Sequence, residues 1–228
     1  AMQIQYDAVA ALVARCHVLG KIVVGGGPMF TTDPASNAGV DHAVVGETEE
    51  LAAAVAADAE AGQLAPFYVA QRFPDLALTP LPRWDLLNLD HYATLSVQSC
   101  RGCPFDCEFC DVIAYVGRRM RYKSVDLVMR EIDQLARMGL RFVVLADDNF
   151  TAGREKSREI LQAIKQFTWS GGPRVNFATQ LSIDTAQDEA LLRLATEAGL
   201  NRVLIGIESP NKESLAEVNK STEERRGG

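Results

Sequence analysis

The sequence lacks the features that define several large protein classes. Its 228 residues contain no run of about 18 apolar residues, so no membrane-spanning helix is predicted. The N-terminus lacks the basic, apolar and small-residue layout of a signal peptide, and we therefore expect a cytoplasmic protein. Positive charge is scarce, because 23 Lys and Arg stand against 30 Asp and Glu for a net charge of -7. Phosphate binding needs a large positive footprint, so no nucleic-acid partner is expected.

Cysteine is also scarce, with five in the chain. Thiols of a cytoplasmic protein stay reduced, so a disulfide framework is not expected. Cys16 stands alone in the apolar helical stretch ALVARCHVLGK and is predicted to be a buried thiol. The other four, Cys100, Cys103, Cys107 and Cys110, fall within eleven positions. This crowding raises the question of a metal site.

Helices and strands alternate in the first third of the chain. A helix is predicted from about Tyr6 to Leu19, followed by the strand KIVVGGG, the strand DHAVVG and the helix ETEELAAAVAADAEAG. Continuous apolar strands between helices are typical of a parallel sheet covered on both faces. Two strands are too few for a stable domain of this kind, and the first residue is not Met, so the chain is expected to begin partway through one.

Residues 66–91 carry four prolines and little helical periodicity, which predicts a connector. Its apolar side chains Trp84, Leu86 and Leu87 are expected to pin it onto a neighbouring surface. The domains predicted on its two sides are 1–65 and 92–228.

From residue 92 onward the pattern predicts four βα units, with the strands YATLSVQS, RFVVLAD, RVNFATQLS and NRVLIGIE. The first helix is predicted to begin after the N-cap Ser124 and to end at Gly139. The next two are REKSREILQAIKQF and DEALLRLATEAG. This α/β pattern is typical of a TIM-like barrel or an open parallel sheet, and both place reactive groups at the carboxyl ends of the strands.

The four clustered cysteines have the spacing C-x2-C-x3-C-x2-C. A structural zinc site normally joins two C-x2-C knuckles across about a dozen residues, and three intervening residues are too few. A ferredoxin run has the order C-x2-C-x2-C-x3-C-P, whereas Pro104 here follows the second cysteine. Neither pattern accounts for all four thiols.

Without Cys100 the motif becomes Cys103-x3-Cys107-x2-Cys110, with the aromatic Phe109 before the last cysteine. This CxxxCxΦC pattern, directly after the first strand of a βα barrel, resembles the radical S-adenosylmethionine enzymes. The resemblance implies that three thiolates hold a 4Fe-4S cluster and that its open iron chelates S-adenosylmethionine, the source of a 5'-deoxyadenosyl radical. It also implies a serine at position 100, so Cys100 is not expected to be a ligand.

The resemblance implies further binding residues for S-adenosylmethionine at the strand ends. Phe109 would lie against the adenine, and the alternative is a core aromatic. In ADDNF, which stands where relatives have Gly-Gly-Glu, Asp147 or Asp148 would accept from the methionine ammonium or else cap a helix. Glu208 in GIESP would bind the ribose hydroxyls, because a carboxylate can accept from both, and the alternative is a solvated strand end. Additional candidates at this mouth are Gln180, Ser182 and Ser209.

A basic run follows the cysteines and comprises Arg118, Arg119, Arg121 and Lys123. It could offset the charge of the cluster, dock an acidic flavodoxin- or ferredoxin-like electron donor, or meet an anionic substrate. The simpler interpretation is a solvated face.

The first third resembles the second half of the cobalamin-binding domain that precedes many of these barrels, through KIVVGGGPMFTT and VDHAVVGETEE. This implies that Gly25, Gly26 and Gly27 let the backbone approach cobalamin, and a tight turn is the alternative. The whole arrangement resembles the subfamily that includes hopanoid C-2 methylases. The cobalamin signature D-x-H-x-x-G is absent, and His42 is interpreted as structural.

The sequence therefore supports a specific hypothesis and two rivals. The hypothesis is a central fragment with a partial Rossmann-like cobalamin-binding unit over 1–65 and a partial TIM-like radical S-adenosylmethionine barrel over 92–228. It would methylate an unactivated carbon of a small-molecule substrate, with methylcobalamin delivering the methyl group. One rival uses the radical for rearrangement or cyclisation, and the other is a non-catalytic four-cysteine electron carrier or metal-stapled module.

Overall fold

The computed structural model describes residues 1–35 and 38–220, which form two compact units. The first comprises Ala1–Leu78 with Ala114–Val116, and the second comprises Thr79–Ile113 and the chain from Gly117 onward. Each unit is built on a parallel sheet, which confirms the predicted α/β class. Residues 221–228, at the end of the predicted barrel segment, lie outside the described residues. Over the described ranges, no helix combines the length and the apolar character that crossing a membrane requires.

The first unit contains a three-stranded parallel sheet with the order β1-β2-β3. Its elements in chain order are α1 (Tyr6–Val18), β1 (Val24–Gly26), α2 (Pro28–Thr32), β2 (His42–Val45), α3 (Ala52–Ala61) and β3 (Phe67–Val69). Its small core consists of Val13, Met29, Phe30, Ala38, Val40 and Ala43.

Strand β3 lies inside the segment predicted to be a connector, so that prediction is wrong for Phe67–Val69. The strand pairs in parallel with Ala43–Val45. Its three residues follow Pro66 and are too few to show a strand period, which explains why the sequence pattern conceals them. The rest of the segment contains three short 3-10 helices. Trp84 and Leu87 pack in the main core of the second unit, as predicted for anchors, whereas Leu86 is 71% exposed and its predicted anchoring role is wrong.

Two isolated residues of the first unit differ in how well they follow prediction. Cys16 is only partly buried, because α1 buries Val13 alone, and the prediction of a buried thiol is wrong. His42 lies in β2, and its Nδ1 is 2.8 Å from the carbonyl oxygen of Ala65. That contact gives His42 a local structural partner.

The second unit contains a four-stranded parallel sheet, and its elements follow one another as β and α units. In chain order they are β4 (Leu95–Val97), β5 (Cys100–Arg101), α4 (Val112–Val116), whose last three residues belong to the first unit, β6 (Arg121–Tyr122), α5 (Val125–Arg137), β7 (Phe142–Leu145), α6 (Arg154–Trp169), β8 (Asn176–Gln180), α7 (Glu189–Glu197), β9 (Leu200–Leu204) and α8 (Lys212–Glu217). The sheet order is β4-β7-β8-β9, while β5 and β6 form an antiparallel pair.

Helix α5 shows how local sequence builds this unit. The Ser124 hydroxyl accepts from the backbone N–H of Leu127 at 3.2 Å and caps the helix as predicted. Gly139, with φ +95°, follows its end in a conformation that favours glycine. Val128 and Ile132, on its apolar face, are fully buried in the main core of the unit, where each such side chain contributes about 1.5–3 kcal/mol.

The end of the basic run is buried, which corrects the interpretation of that run as a solvated face. Lys123 is 6% exposed, and its Nζ lies 2.5 Å from Oε1 of the buried Glu131 on α5. A buried charge requires such a partner. Arg118 and Arg119, earlier in the run, are exposed.

Candidate functional site

A cavity of about 630 Å³ opens beside residues that follow β4, β7, β8 and β9. Its volume is within the range of small-molecule and cofactor sites. Because all four strands run parallel, their carboxyl ends meet at one edge of the sheet, as the sequence pattern predicts for reactive groups. Nine of the predicted site residues line it: Cys103, Cys107, Phe109, Cys110, Asp148, Gln180, Ser182, Glu208 and Ser209.

The cysteine loop, residues 98–111, brings three partly exposed free thiols to this cavity, on Cys103, Cys107 and Cys110. The Cys110 N–H donates to the Cys107 carbonyl oxygen at 3.0 Å, which makes a tight turn between two of them. Burial raises the pKa of the Cys103 and Cys107 thiols. Among the described residues, no group of three His, Cys, Asp or Glu side chains is placed to hold a single metal ion. Thiolates are the ligands of iron-sulfur clusters, so this donor set fits the predicted cofactor.

Cys100 differs from these three cysteines. It is 1% exposed in β5, does not line the cavity, and burial raises the pKa of its thiol. A buried protonated thiol is a poor metal ligand, because the thiolate is the binding form. The prediction of three cysteine ligands stays a prediction, with Cys100 placed away from the cavity that the other three share.

Phe109 is 54% exposed and lines the cavity, so the alternative of a core aromatic is wrong. The ammonium nitrogen of Lys220 lies 5.4 Å from the centroid of its ring. An exposed aromatic face is suited to stacking against a planar ligand. Its contact with adenine stays a prediction.

The two adjacent acids after β7 lie in different environments. Asp148 lines the cavity, whereas Asp147 is 1% exposed and does not. The Asp147 carboxylate accepts from the backbone N–H groups of Ser99 at 2.7 Å and Cys100 at 2.9 Å, and from the Ser99 hydroxyl. Burial raises the pKa of Asp147 to about 6 and raises that of Asp148. Neither caps α6, whose N-cap residue is Gly153, so the alternative of a helix cap is wrong.

Glu208 follows β9 in an unusual backbone conformation with φ +60°. The Ser209 N–H donates to the Ile207 carbonyl oxygen at 2.7 Å, which closes a three-residue γ-turn around Glu208. Oε1 of Glu208 accepts from Nζ of Lys220 at 2.8 Å. The Ser209 hydroxyl accepts from the N–H of Asn211 at 3.1 Å. Glu208 is thus an exposed, ion-paired group at the cavity, and its contact with the ribose hydroxyls stays a prediction.

Two further residues of the cavity are not found by the sequence pattern. Lys220 stands after α8, where no motif marks it, yet its side chain reaches Glu208 and Phe109. Asn149 is 5% exposed, and its Nδ2 donates to the hydroxyl of Ser182 at 3.3 Å. Its position directly after two acids at a strand end is the signal that could have found it.

The glycines predicted to approach cobalamin lie in the first unit, in and after β1. A Cβ at Gly25 would lie 2.6 Å from the ring of Phe30, so packing within the unit explains why this position needs glycine. Gly27 has φ +100°, which side chains rarely adopt. The tight-turn alternative therefore has direct support, and the cobalamin role of Gly25, Gly26 and Gly27 stays a prediction.

Comparison with known families places the chain in a class. The sequence profile described as "Radical SAM superfamily" matches residues 97–227, more than half of the chain. The chain belongs to the Radical SAM superfamily, whose enzymes use a 4Fe-4S cluster and S-adenosylmethionine. The resemblance inferred from the cysteine motif is therefore confirmed.

The curated relatives include several proteins named as methyltransferases. The chain is 38% identical over 217 residues to an uncharacterised methyltransferase of Synechocystis sp., covering 94% of this chain and 40% of that protein. It is 28% identical over 224 residues to the hopanoid C-2 methylase of Rhodopseudomonas palustris, covering 96% of this chain and 42% of that protein. The chain thus spans about two fifths of the length of these relatives.

Solved structures share the fold. The radical S-adenosylmethionine methyltransferase TsrM of Kitasatospora setae, solved with cobalamin and a 4Fe-4S cluster bound, matches with a TM-score of 0.78 and 20% identity over 92% of this chain and 47% of its own. The cobalamin-dependent S-adenosylmethionine radical enzyme OxsB matches with a TM-score of 0.75 and 17% identity over 96% of this chain and 36% of its own. The predicted fold class, a partial Rossmann-like unit followed by a partial TIM-like barrel, is confirmed.

Proposed function

We propose that the chain is the cluster- and S-adenosylmethionine-binding part of a cobalamin-dependent methyltransferase that acts on an unactivated carbon. The observation that carries the proposal is the convergence of three thiols and six other predicted residues on one cavity at the carboxyl ends of parallel strands. Those residues are separated by up to about a hundred positions in sequence, so their meeting is a property of the fold.

Cys103, Cys107 and Cys110 would hold the cluster. When bound, it supplies the electron that cleaves S-adenosylmethionine and so provides a radical able to remove a hydrogen from carbon. Three protein thiols would leave one iron of the cluster without a protein sulfur ligand.

The other cavity residues would bind and orient S-adenosylmethionine. Phe109 offers a ring face for adenine, and the Glu208 carboxylate can accept from both ribose hydroxyls. Asp148 is the acid available to the methionine ammonium, because Asp147 is turned away from the cavity. Gln180 and Ser182 complete a polar edge near Asp148. These roles all require side chains that the fold leaves accessible to a ligand.

Cobalamin is proposed as the methyl carrier on the support of the relatives. OxsB is described as cobalamin-dependent, and TsrM is a methyltransferase solved with cobalamin. The curated relatives include the hopanoid C-2 methylase. Because Phe30 fills the space beside Gly25, that glycine gives no observation of a cofactor cradle, and no contact to cobalamin is assigned to it.

Cyclisation is the second candidate function. The chain is 30% identical over 153 residues to the anaerobic magnesium-protoporphyrin IX monomethyl ester cyclase of Rubrivivax gelatinosus, across 62% of this chain and 26% of that protein. The match covers a smaller share of this chain than those to the methyltransferases above, which favours methyl transfer. Analysis of the product of the full-length protein separates the two, since only the methyltransferase adds a methyl group.

A flavodoxin- or ferredoxin-like electron donor is the proposed protein partner. Arg118 and Arg119 are exposed, and a guanidinium nitrogen of Arg118 donates to the Pro104 carbonyl oxygen at 3.1 Å within the cysteine loop. Exposed positive charge beside the cluster would attract an acidic protein. The cytoplasmic location predicted from the sequence is part of this proposal.

Electron paramagnetic resonance tests the proposed function directly. The chain, reconstituted anaerobically with iron and sulfide and reduced, is expected to give a 4Fe-4S signal that shifts when S-adenosylmethionine is added. The Cys107→Ala variant serves as the control for a cluster held by these thiols and is expected to give no such signal. A wild-type signal that is indifferent to S-adenosylmethionine would contradict the proposal and favour a plain electron carrier.

A further inference from the structure

Asp147 is a buried carboxylate. Its hydrogen bonds to the described residues lead to the start of the cysteine loop. Oδ1 accepts from the N–H groups of Ser99 at 2.7 Å and of Cys100 at 2.9 Å, and Oδ2 accepts from the Ser99 hydroxyl. Two successive backbone N–H groups therefore converge on one carboxylate oxygen. Bonds from N–H groups to a charged acceptor are among the stronger hydrogen bonds of proteins.

Ser99 connects this carboxylate to the far side of the loop. Its carbonyl oxygen accepts from the N–H of Lys123 at 2.9 Å. Lys123 is held in turn by its buried ion pair with Glu131 on α5. Ser99 therefore has its N–H and hydroxyl fixed by Asp147 and its carbonyl fixed by the residue that follows β6.

The backbone between Ser99 and the first predicted ligand, Cys103, is held by further contacts. Cys100 pairs with Tyr122, and Arg101 pairs with Arg121. Gly102 follows with φ +103°, and a Cβ there would overlap the carbonyl oxygen of Arg119. A displacement of the base is therefore passed on to the next residue, Cys103.

We propose that Asp147 is a positioning residue that fixes the base of the cysteine loop through Ser99 and Cys100 and thereby places Cys103 for cluster binding. Only the placing of Cys103 for cluster binding rests on the proposed function. It assigns different tasks to the adjacent acids, because Asp148 faces the ligand cavity and Asp147 holds the loop. Asn can replace Asp147 with one carbonyl oxygen for the two N–H donors and an amide for the hydroxyl, whereas Ala removes all three bonds.

The first test uses the cluster-free full chain and amide hydrogen exchange. In Asp147→Ala, the Ser99 and Cys100 amides are expected to exchange about tenfold or more faster than in wild type, relative to the Val143 amide of β7. In Asp147→Asn the increase should stay within about threefold. Leu161→Ala, a truncation in the main core, is the matched control and should leave this ratio unchanged. Wild-type ratios in Asp147→Ala would overturn the proposal.

The second test follows the release of iron from the reconstituted cluster to a chelator. Asp147→Ala is expected to release iron about tenfold faster than wild type, while Asp147→Asn restores the wild-type rate within about threefold. Leu161→Ala controls for a general loss of stability, and equal rates in Leu161→Ala and Asp147→Ala would contradict a positioning role. Asp148→Ala is expected to keep the wild-type release rate and to lose the signal shift with S-adenosylmethionine.

The two tests separate failure of this inference from failure of the proposed function. A wild-type chain that takes up no cluster contradicts the proposed function, and hydrogen exchange still decides whether Asp147 holds the loop. If Asp147→Ala does not fold, Ser99→Ala takes its place, since it removes only the hydroxyl bond. The Cys100 amide should then exchange about threefold faster, and an unchanged ratio would count against the proposal.

Discussion

The sequence predicts a cofactor site at the carboxyl ends of the parallel strands in both units, but the two edges differ in the structure. In the first unit, the ring of Phe30 lies against Gly25, and the Gly46 N–H after β2 donates to the Thr31 hydroxyl at 2.9 Å. In the second unit, the corresponding edge opens into a cavity of about 630 Å³ lined by thiols and carboxylates. Both edges follow from parallel topology.

This difference shows that topology supplies the position of a site and local side chains decide whether the position is available. A Gly-rich strand end is compatible with a cofactor, but it is equally compatible with an aromatic side chain from the next helix. A loop with three partly exposed cysteines has no comparable packing explanation, because free cysteine is among the most often buried residue types.

The largest expected effect concerns the open edge. Cys103→Ala should abolish nearly all cluster binding, because the cluster would then keep only two of its three proposed protein ligands. Cys100→Ser should retain the cluster, because Cys100 is buried away from the cavity. Iron and sulfide content after anaerobic reconstitution measures both.

Loss of the cluster in Cys100→Ser would contradict the three-ligand site and favour a four-thiolate carrier. Cys16→Ser is the control for removal of a thiol elsewhere, since Cys16 lies in α1 of the first unit. It should bind as much iron as wild type.

The next effect is a pH dependence caused by Asp147. Burial raises the pKa of this carboxyl from 3.8 to about 6, so the folded state binds the proton more tightly than the unfolded state. The stabilisation is complete below the unfolded pKa and is lost as pH rises through about 6. The free energy of unfolding of wild type, measured against Asp147→Asn, should therefore fall by up to about 3 kcal/mol between about pH 4 and pH 7.

Urea unfolding at several pH values measures this difference. Asp133→Asn, which removes a partly exposed carboxylate paired with Arg137 on α5, is the control for loss of a surface carboxylate. A difference that rises with pH instead would mean that the three hydrogen bonds outweigh burial at Asp147 and lower the pKa of its carboxyl.

A smaller effect is expected at the filled edge. Gly25→Ala should lower the free energy of unfolding by about 1–3 kcal/mol, because its Cβ would lie 2.6 Å from the Phe30 ring. The cost should shrink in a Phe30→Leu background, where the ring is absent, and a double-mutant cycle from urea unfolding measures the coupling. Equal costs in the two backgrounds would contradict packing against Phe30 as the reason for this glycine.

The smallest expected effect concerns Lys220. Lys220→Met should lower the free energy of unfolding by less than about 1 kcal/mol, because its partner Glu208 has a side chain that is 44% exposed. Lys220→Arg keeps the charge and is the matched control. A loss of several kcal/mol in thermal or urea unfolding would show that Lys220 is part of the packed core rather than of an accessible cavity wall.

Elements long enough for their apolar period to repeat several times were predictable from sequence. Helix α5 was, because Ser124 and Gly139 mark its limits and an apolar face repeats between them. Strand β3 was not, because three residues cannot show a period and Pro66 directly precedes them. The burial of Lys123 also escaped prediction, since its partner Glu131 is eight positions away on another element.

The site was predictable as a set of strand-end residues and less so in its details. The motif identifies Cys103, Cys107 and Cys110 because their spacing is local, and the fold brings them to one cavity. The duties of Asp147 and Asp148 could not be separated from sequence, because neighbouring residues at a strand end point in different directions and only tertiary structure shows which one meets the loop.

The turn at Glu208 has a consequence for ligand binding. With φ +60° and a γ-turn bond between its neighbours, this residue adopts a backbone conformation that costs about 1–3 kcal/mol for side chains other than glycine. The surrounding structure balances this strain, and the contact of Oε1 with Nζ of Lys220 at 2.8 Å holds the carboxylate at the cavity. A ligand that meets Glu208 therefore finds its acceptor already oriented, so that less conformational entropy is lost on association than with a freely rotating chain end.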